Sequence, residues 1–356
     1  MKRIICLILV LFIISGTITL TGCKKDETYE KFTEYSFDYF DTVTTIIGYE
    51  KSKPDFDANC DKIKGLLDEY HKLYTIYNRY DGINNLCLIN SVEDGAHPEL
   101  EVDGKIIKML KFAKEMYEIS NGKLNVAMGS VLSIWHNYRE NGLDDPENAE
   151  LPSFDALNDA NEHTDINNLI IDEEKGTVYI SDPQMKLDVG AVAKGYAVEK
   201  IADYMKQNGM DGYLLNVGGN VRAVGNRRDG EKWKVGIENP DTENDEKPYI
   251  EYLEINDMSL VTSGSYQRFY TVDGKNYHHI IDPETLMPSE KYLSISVLCE
   301  SSAYADALST ALFSMELEYG RRLIESLTDV EAMWVTTDGQ QKYSSKFKEK
   351  AMKENT

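Results

Sequence analysis

Two polar side chains in an otherwise small and apolar segment have the spacing of a metal-binding pair. Residues 303–315 are predicted to be helical, so Asp306 and Thr310 lie one turn apart and share a face. Hard cations such as Mg²⁺ take oxygen ligands of this kind. The alternative is a solvated Asp306, with Thr310 bonded back to a helix carbonyl. The neighbouring alanines favour a buried or cleft-facing pair, in which the carboxylate needs a partner.

A second candidate is the stretch 187–195, Leu-Asp-Val-Gly-Ala-Val-Ala-Lys-Gly, in which a strand end passes into a helix start. Small residues here would let a phosphate approach backbone N–H groups at the positive end of the helix, and Lys194 supplies a point charge. The spacing is neither a Walker A loop nor a dinucleotide fingerprint. A plain strand-to-helix turn explains the same residues equally well.

Two further features are ambiguous on local grounds. Gly218 and Gly219 follow an apolar strand at residues 213–217, where paired glycines can form a tight turn without any function. His279 precedes Asp282-Pro283, and a lone histidine can be either a catalyst or a satisfied structural residue.

The elements that must position these residues alternate in type along the chain. Apolar spacing predicts helices near residues 54–77, 106–117, 194–208, 303–315 and 318–326. Strands are expected at 39–49, 169–171, 178–180, 213–217, 233–238, 250–255, 260–262, 293–298 and 332–336, the last completing the set. This pattern predicts the α+β class, with a mixed, largely antiparallel sheet core and flanking helices. No internal repeat is present, so we expect one catalytic body at residues 37–345, followed by a flexible tail at 346–356.

Composition excludes several classes of protein. The 356 residues carry 38 basic and 61 acidic side chains, a formal charge of −23, which argues against nucleic acid as a partner. The 42% hydrophobic content is that of a folded protein. Five cysteines without a CxxC motif argue against a disulfide scaffold or a structural zinc site. Cys60, Cys87 and Cys299 are expected to be buried small hydrophobes.

The first residues indicate export. Lys2 and Arg3 precede an apolar run at 4–14, which is short for a membrane span and fits a signal peptide at residues 1–22. Leu20-Thr21-Gly22-Cys23 resembles a bacterial lipobox, which implies an acylated Cys23, a tether at 23–36 and a lipid-anchored protein on the extracytoplasmic face of the membrane. The alternative is an ordinary signal peptide with an incidental Cys23.

Taken together, these motifs resemble the ApbE family, the FAD:protein FMN transferases, in order and spacing over nearly the whole mature chain. The matching segments are the lipobox, the Asn-rich loop ending at Asn90, residues 126–130 with Trp135, residues 187–197, Asn216-x-Gly218-Gly219-Asn220, Ser263-Gly264-x-Tyr266-x-Arg268, residues 279–283 and Ala305-Asp306-Ala307-x-x-Thr310-Ala311.

The resemblance implies an enzyme that binds FAD and Mg²⁺ outside the cytoplasmic membrane. It would transfer FMN to a Thr or Ser hydroxyl of a redox-pump subunit, forming a phosphoester and releasing AMP. Asp306, Thr310 and the carbonyl of Ala191 would hold the metal, and His279 would be the base. The residues implied in the FAD site are Phe40 near the flavin, Met128, Gly129, Ser130, Asp188, Lys194, Gly218, Gly219 and Ile280.

The chain departs from the family pattern at three places. Phe40-Asp41-Thr42 replaces the common Met-Gly-Thr, residues 127–130 replace Thr-Val-Gly-Pro, and Thr285-Leu286 replaces Thr-Gly.

Two other functions remain open on the sequence. Some members of the family resemble FAD pyrophosphatases, in which water replaces the acceptor hydroxyl. A solute-binding lipoprotein is also possible for an acidic, lipid-anchored body, but it would require two similar βαβ lobes instead of one mixed sheet.

Overall fold

One eight-stranded antiparallel sheet lies at the centre of the computed structural model, which describes residues 28–244 and 246–350. The predicted signal peptide and Cys23 lie outside the described residues. The strands are β1 (Glu30–Tyr39), β2 (Thr42–Glu50), β3 (Leu100–Glu101), β4 (Leu169–Asp172), β5 (Thr177–Ile180), β6 (Tyr213–Val217), β7 (Asn220–Val224), β8 (Trp233–Glu238), β9 (Tyr249–Ile255), β10 (Ser259–Gly264), β11 (Phe269–Val272), β12 (Lys275–His278), β13 (Tyr292–Cys299), β14 (Glu331–Thr336) and β15 (Gln341–Tyr343).

The order of strands in the central sheet is β1-β2-β6-β7-β10-β13-β14-β15, and every neighbouring pair is antiparallel. Three small sheets, β11-β12, β3-β5-β4 and β8-β9, lie outside it. The helices are α1 (Lys53–Tyr74), α2 (Leu86–Ile89), α3 (Gly104–Ile119), α4 (Gly129–Asp144), α5 (Phe154–Asn161), α6 (Ala193–Gln207), α7 (Ser302–Phe313), α8 (Leu317–Ser326) and α9 (Phe347–Lys350), with 3-10 turns at Pro146–Asn148 and Ile166–Asn168. The predicted α+β class is confirmed.

Both faces of the central sheet are covered because apolar residues occupy both sides of its inner strands. In β10, Val261 packs into the core with helices α1, α3, α6 and α7, whereas Leu260 packs on the opposite face with the β8-β9 hairpin. In β14, Trp334 packs on the same face as Val261, and Val335 packs on the same face as Leu260. Alternating sides are the consequence of the two-residue period of a strand. A third apolar cluster joins α4, α5 and the β11-β12 hairpin.

The structure corrects three expectations about the ends of the fold. Strand β1 pairs with β2 from Glu30 onwards, so residues 30–36 belong to the sheet and not to a tether. At the other end, Phe347 is fully buried in the second core, so the start of the expected flexible tail is packed. Strand β15 follows the strand that the sequence predicted as the last one.

Strands β1 and β15 are each one arm of a short hairpin, with β2 and β14 respectively, whereas Phe347 packs on residues distant in sequence, such as Trp233 and Leu253. Cys60 and Cys299 are buried as expected, whereas Cys87 is only half-buried. Across the part of the chain that the structure describes, no helix combines the length and the apolar character needed to cross a membrane.

Candidate functional site

A cavity of about 830 Å³ opens between the central sheet, the start of α6, helix α7 and the region of α4 and the β11-β12 hairpin. This volume lies in the range of small-molecule and cofactor sites. The cavity brings together ten residues that the sequence assigned to the site, which are Met128, Asp188, Ala191, Lys194, Gly218, Gly219, His279, Ile280, Asp306 and Thr310.

The Asp306 carboxylate is held where α6 and α7 cross. It is almost completely buried, and its Oδ2 accepts a hydrogen bond of 2.7 Å from the backbone N–H of Gly195. The Lys194 ammonium lies 3.3 Å from Oδ1. Thr310, one turn further along α7, also lines the cavity, and its hydroxyl lies 3.5 Å from that of Ser263. The structure therefore excludes a solvated Asp306.

Gly195 permits this close approach of the two helices. A Cβ atom at position 195 would lie 2.3 Å from Cβ of Asp306 and 2.4 Å from the carbonyl oxygen of Ser302. Both distances are far below van der Waals contact, so any side chain there would force α6 and α7 apart.

We therefore expect Gly195→Ala to lower the free energy of unfolding by about 1–3 kcal/mol, the usual cost of overpacking a core. Urea denaturation measures the change. Gly65→Ala is the matched control, because Gly65 lies on the exposed side of α1 with no atom near its Cβ direction. That control should be neutral or slightly stabilising, as alanine favours helix. A Gly195→Ala protein as stable as the wild type would contradict the packing argument.

His279 has one ring nitrogen bound and the other free. Its Nδ1 lies 3.2 Å from the carbonyl oxygen of Arg268, which also accepts the backbone N–H of His279 at 3.1 Å. A carbonyl only accepts hydrogen bonds, so Nδ1 carries the proton, and Nε2 of the neutral ring keeps its lone pair. Burial within the cavity wall, followed by the charge of Arg268, lowers the pKa of His279 to about 3. The ring nevertheless keeps solvent contact through the cavity, so it is a neutral base that a substrate can reach.

The preceding His278 fixes the backbone beside it. Its Nε2 donates to the carbonyl of Ser289 at 2.7 Å, and its Nδ1 accepts the N–H of Ile280 at 3.2 Å. Both bonds require the neutral Nε2–H tautomer, and burial lowers the pKa of His278 in the same sense. His278 therefore positions His279 and Ile280 while its own ring is fully bonded.

The glycine pair and Asp188 shape the cavity through the backbone. Gly218 and Gly219 connect β6 to β7 with positive φ angles of 54° and 88°, which non-glycine residues rarely adopt. A Cβ on Gly218 would also lie 2.4 Å from the Thr42 hydroxyl. Asp188 accepts the N–H of Gly190 at 2.9 Å, and burial raises its pKa. The stretch before α6 thus contributes to the cavity and is more than a plain turn.

Three predicted site residues lie outside the cavity lining. The N–H of Phe40 donates to Nδ1 of His71, and the two rings pack edge to face. Gly129 donates to the carbonyl of Lys186 at 2.9 Å and has no room for a Cβ. The Ser130 hydroxyl donates to the carbonyl of Gln184 at 2.7 Å. Gly129 and Ser130 therefore attach the start of α4 to the segment that leads to Asp188, and Phe40 packs against α1.

Sequence reasoning missed the role of several other residues in the cavity wall and directly behind it. Asn220, fully buried at the start of β7, lies between Lys194 and Asp306.

The described residues that line the cavity include four basic side chains (Lys123, Arg139, Lys194 and Arg268) and four acidic ones (Asp41, Asp188, Glu238 and Asp306). The chain as a whole has 38 basic and 61 acidic residues, so the cavity is less acidic than the rest of the protein. Such a lining repels an anionic ligand less than the rest of this acidic protein does.

The residues in the cavity fit a hard divalent cation. Asp306, Thr310 and Ala191 all line the cavity, and a carboxylate, a hydroxyl and a backbone carbonyl are the kinds of oxygen ligand that Mg²⁺ prefers. Within residues 28–244 and 246–350, no group of three His, Cys, Asp or Glu side chains converges on a metal position. A cation in this cavity would therefore use one carboxylate and neutral oxygens, leaving room for ligand oxygens.

Known proteins resemble this chain over most of its length. The profile of the ApbE family matches residues 40–334. The FAD:protein FMN transferase of Klebsiella pneumoniae (strain 342) is 31% identical over 281 residues, which cover 79% of this chain and 83% of that protein. The enzyme of the same name from Vibrio cholerae (strain O395) is 31% identical over 290 residues, with 81% and 83% covered.

Solved structures agree with the fold. The flavin transferase ApbE from Vibrio cholerae superposes with a TM-score of 0.74 at 26% identity, covering 90% of this chain and 99% of that one. The ApbE protein of Thermotoga maritima has a TM-score of 0.76 at 24% identity, covering 92% and 100%. The match of the family profile over residues 40–334, together with relatives above 30% identity, establishes that this chain belongs to the ApbE family.

Proposed function

We propose that the protein is a Mg²⁺-dependent FAD:protein FMN transferase that modifies a Thr or Ser hydroxyl of an exported acceptor and releases AMP. The observation that carries the proposal is the shared cavity of His279, Lys194 and the Asp306–Thr310 pair. One free basic nitrogen, one ammonium and a set of oxygen donors are the groups that pyrophosphate cleavage by a hydroxyl requires. Membership of the family makes the protein an enzyme of the transferase type.

In the proposed reaction, the acceptor oxygen forms a bond to the phosphorus of the FMN half as the bond to the bridging pyrophosphate oxygen breaks. The acceptor proton passes to Nε2 of His279, and the bridging oxygen leaves with AMP. Lys194 would stabilise negative charge on the phosphates. A metal held by Asp306, Thr310 and the Ala191 carbonyl would neutralise further charge, a contribution of several kcal/mol.

Electrostatic and positional support would come from the surrounding residues. Arg268 holds the His279 ring through its carbonyl, and its guanidinium Nη2 donates to the carbonyl of Asp41 at 3.3 Å, which joins the β1-β2 turn to the base. The proposed FAD site includes Met128, Asp188, Gly218, Gly219 and Ile280, all of which line the cavity. Phe40, Gly129 and Ser130 would support this site from behind its walls.

The direct test is incubation of the purified protein with FAD, Mg²⁺ and an exported subunit of a redox-driven ion pump, the acceptor class we propose. We expect a fluorescent flavin band on the acceptor in a denaturing gel, with one AMP released per flavin attached. An acceptor with its target Thr replaced by Val is the control and should remain unlabelled. Absence of both labelling and AMP release would refute the proposal.

Hydrolysis of FAD is the second candidate, favoured by the solvent contact of the His279 ring. Water in the position of the acceptor hydroxyl would give FMN and AMP from the same groups. AMP release that does not depend on the acceptor, with no labelled band, would identify this activity.

We also propose that Cys23 carries a lipid and that the protein faces outward from the membrane, on the basis of the Leu20–Cys23 tetrad. Cys23→Ser should move the protein from the membrane fraction to the soluble extracytoplasmic fraction, because a mature chain that lacks the lipid loses its proposed anchor. Fractionation followed by immunoblotting measures the change. Cys87→Ser, which alters a half-buried thiol of the folded body, is the control and should stay membrane-bound. Continued retention of the Cys23→Ser protein would contradict the lipid anchor.

A further inference from the structure

The Asp306 carboxylate already has a cation beside it. The Lys194 ammonium lies 3.3 Å from Oδ1, while Oδ2 is bound to the N–H of Gly195 at 2.7 Å. Only 4% of the Asp306 side chain is exposed, against 24% of Lys194. The pair is therefore an ion pair with one fixed, buried partner and one partner that reaches into the cavity.

Asn220 completes this arrangement. With its amide oxygen toward Lys194 Nζ at 2.9 Å, its NH₂ group donates to Asp306 Oδ1 at 3.2 Å, and both neighbours are satisfied. Asn220 is fully buried, so it has no solvent to replace these bonds. Lys194, Asn220 and Asp306 form a closed set in which the charge of Asp306 is balanced by the chain's own lysine.

We propose that Lys194 is an internal counter-ion that competes with Mg²⁺ for Asp306, and that the pyrophosphate of FAD draws Lys194 away. Metal and FAD would then bind cooperatively, and the metal would bind weakly to the protein alone. The inference rests on the proposed function, since it assigns FAD and a divalent cation to this cavity. It goes further by giving Lys194 two alternating partners.

The physical reason is that a lysine and a metal cannot both sit close to one carboxylate oxygen without repelling each other. A lysine ammonium sits on a flexible four-carbon stem. Lys194 belongs to the first turn of α6, and its side chain lines the cavity. A phosphate in the cavity is a second negatively charged partner for the Lys194 ammonium, alongside the Asp306 carboxylate. FAD and the metal both favour the state in which Lys194 has left Asp306.

Thermodynamic linkage makes this coupling reciprocal. Two ligands that prefer the same state of a protein increase each other's affinity by the same factor. Removing the charge of Lys194 should therefore strengthen metal binding to the free protein, although the same change removes a phosphate partner and weakens FAD binding. An ordinary supporting role for Lys194 would instead weaken both.

The test uses Mn²⁺ as the probe, with free and bound ion measured by electron paramagnetic resonance on the purified protein. Without FAD, Lys194→Met should bind Mn²⁺ at least tenfold more tightly than wild type, and Lys194→Arg, the charge-retaining control, should match wild type. FAD should tighten Mn²⁺ binding in all three proteins. The factor should be at least tenfold smaller in Lys194→Met, because its free form carries no competing charge.

Further variants separate the alternatives. Lys194→Gln keeps a polar head without charge and should behave like Lys194→Met, which guards against a packing defect in either one. Adding Asp306→Asn to Lys194→Met should abolish the tight site, and retention of that site would overturn the proposal. Mn²⁺ affinity that stays unchanged or falls in both neutral variants would also overturn it. If the wild-type protein fails to transfer flavin but the variants show the expected pattern of Mn²⁺ affinities, only the proposed function is refuted.

Discussion

Asp306→Asn should abolish flavin transfer at ordinary Mg²⁺ concentrations while the protein stays folded. Asparagine keeps the shape of the side chain and an oxygen that can accept the N–H of Gly195, but it removes the only carboxylate among the proposed metal ligands. A metal contribution of several kcal/mol to the transition state corresponds to a loss of at least about 10³-fold in kcat. The midpoint of thermal unfolding without ligand should fall by no more than about 5 °C, since Lys194 can turn toward the cavity.

Steady-state transfer rates across a Mg²⁺ series, paired with calorimetric melting, measure both effects. Asp203→Asn is the matched control, because this residue of α6 is half-exposed and pairs only with Lys200 among the ion pairs that the structure describes. It should leave rate and Mg²⁺ dependence unchanged. Wild-type turnover in Asp306→Asn would refute the metal assignment. A general loss of folding would mean that Asp306 is needed chiefly as a buried, hydrogen-bonded carboxylate.

His279→Ala should slow transfer to the acceptor by about 10²- to 10⁴-fold, the usual contribution of a general base. FAD affinity should change far less, because a base acts on the acceptor hydroxyl in the transition state and not on bound FAD. Single-turnover transfer and equilibrium quenching of flavin fluorescence measure the two quantities separately. His163→Ala removes a histidine that pairs with Asp182 instead of lining the cavity, and it should be neutral for both. Parallel losses of FAD affinity and rate would make His279 a binding residue.

The pH dependence gives an independent check on His279. Desolvation by the cavity wall and the charge of Arg268 lower the pKa of His279, so the ring stays neutral through the whole neutral range. A histidine with an ordinary pKa near 6.5 would lose about tenfold in kcat/KM for each pH unit below that value. We expect no such loss between about pH 8 and pH 5. A fall centred near pH 6.5 would show that the ring is more hydrated than its surroundings indicate.

Residue spacing by itself predicted only the part of the site that lies within one element, and the family resemblance supplied the residues of the other elements. Asp306 and Thr310 belong to one helix, so their spacing alone placed them on one face. Asn220 was missed as a participant because its contacts join β7 to Lys194 of α6 and Asp306 of α7, which no local pattern encodes. Phe40 was placed at the flavin by position in a motif, whereas its N–H and ring contacts depend on His71 of a separate helix.

Two departures from the family pattern find a physical explanation in the backbone. Asp41 and Leu286 replace glycines of that pattern, and both have left-handed φ angles, 50° and 59°. Aspartate tolerates this region better than leucine, for which it costs about 1–2 kcal/mol. Leu286 is buried, and its carbonyl accepts the Trp135 N–H at 2.9 Å, so packing holds the strained turn. The glycines of the motif indicate a left-handed backbone conformation at these positions, and Asp41 and Leu286 adopt that conformation without being glycine.

With the proposed lipid on Cys23, the early start of β1 would limit the distance from the bilayer at which the cavity can work. Seven peptide steps separate Cys23 from Glu30, and fully extended they span about 25 Å. The ten-residue strand adds about 30 Å before its far end at Tyr39, next to the turn whose Asp41 lines the cavity. With the lipid on Cys23, the cavity would operate within a layer some 50 to 60 Å deep above the membrane. Substrate choice would then be partly a matter of height: a hydroxyl presented beyond that layer would stay unmodified whatever its sequence.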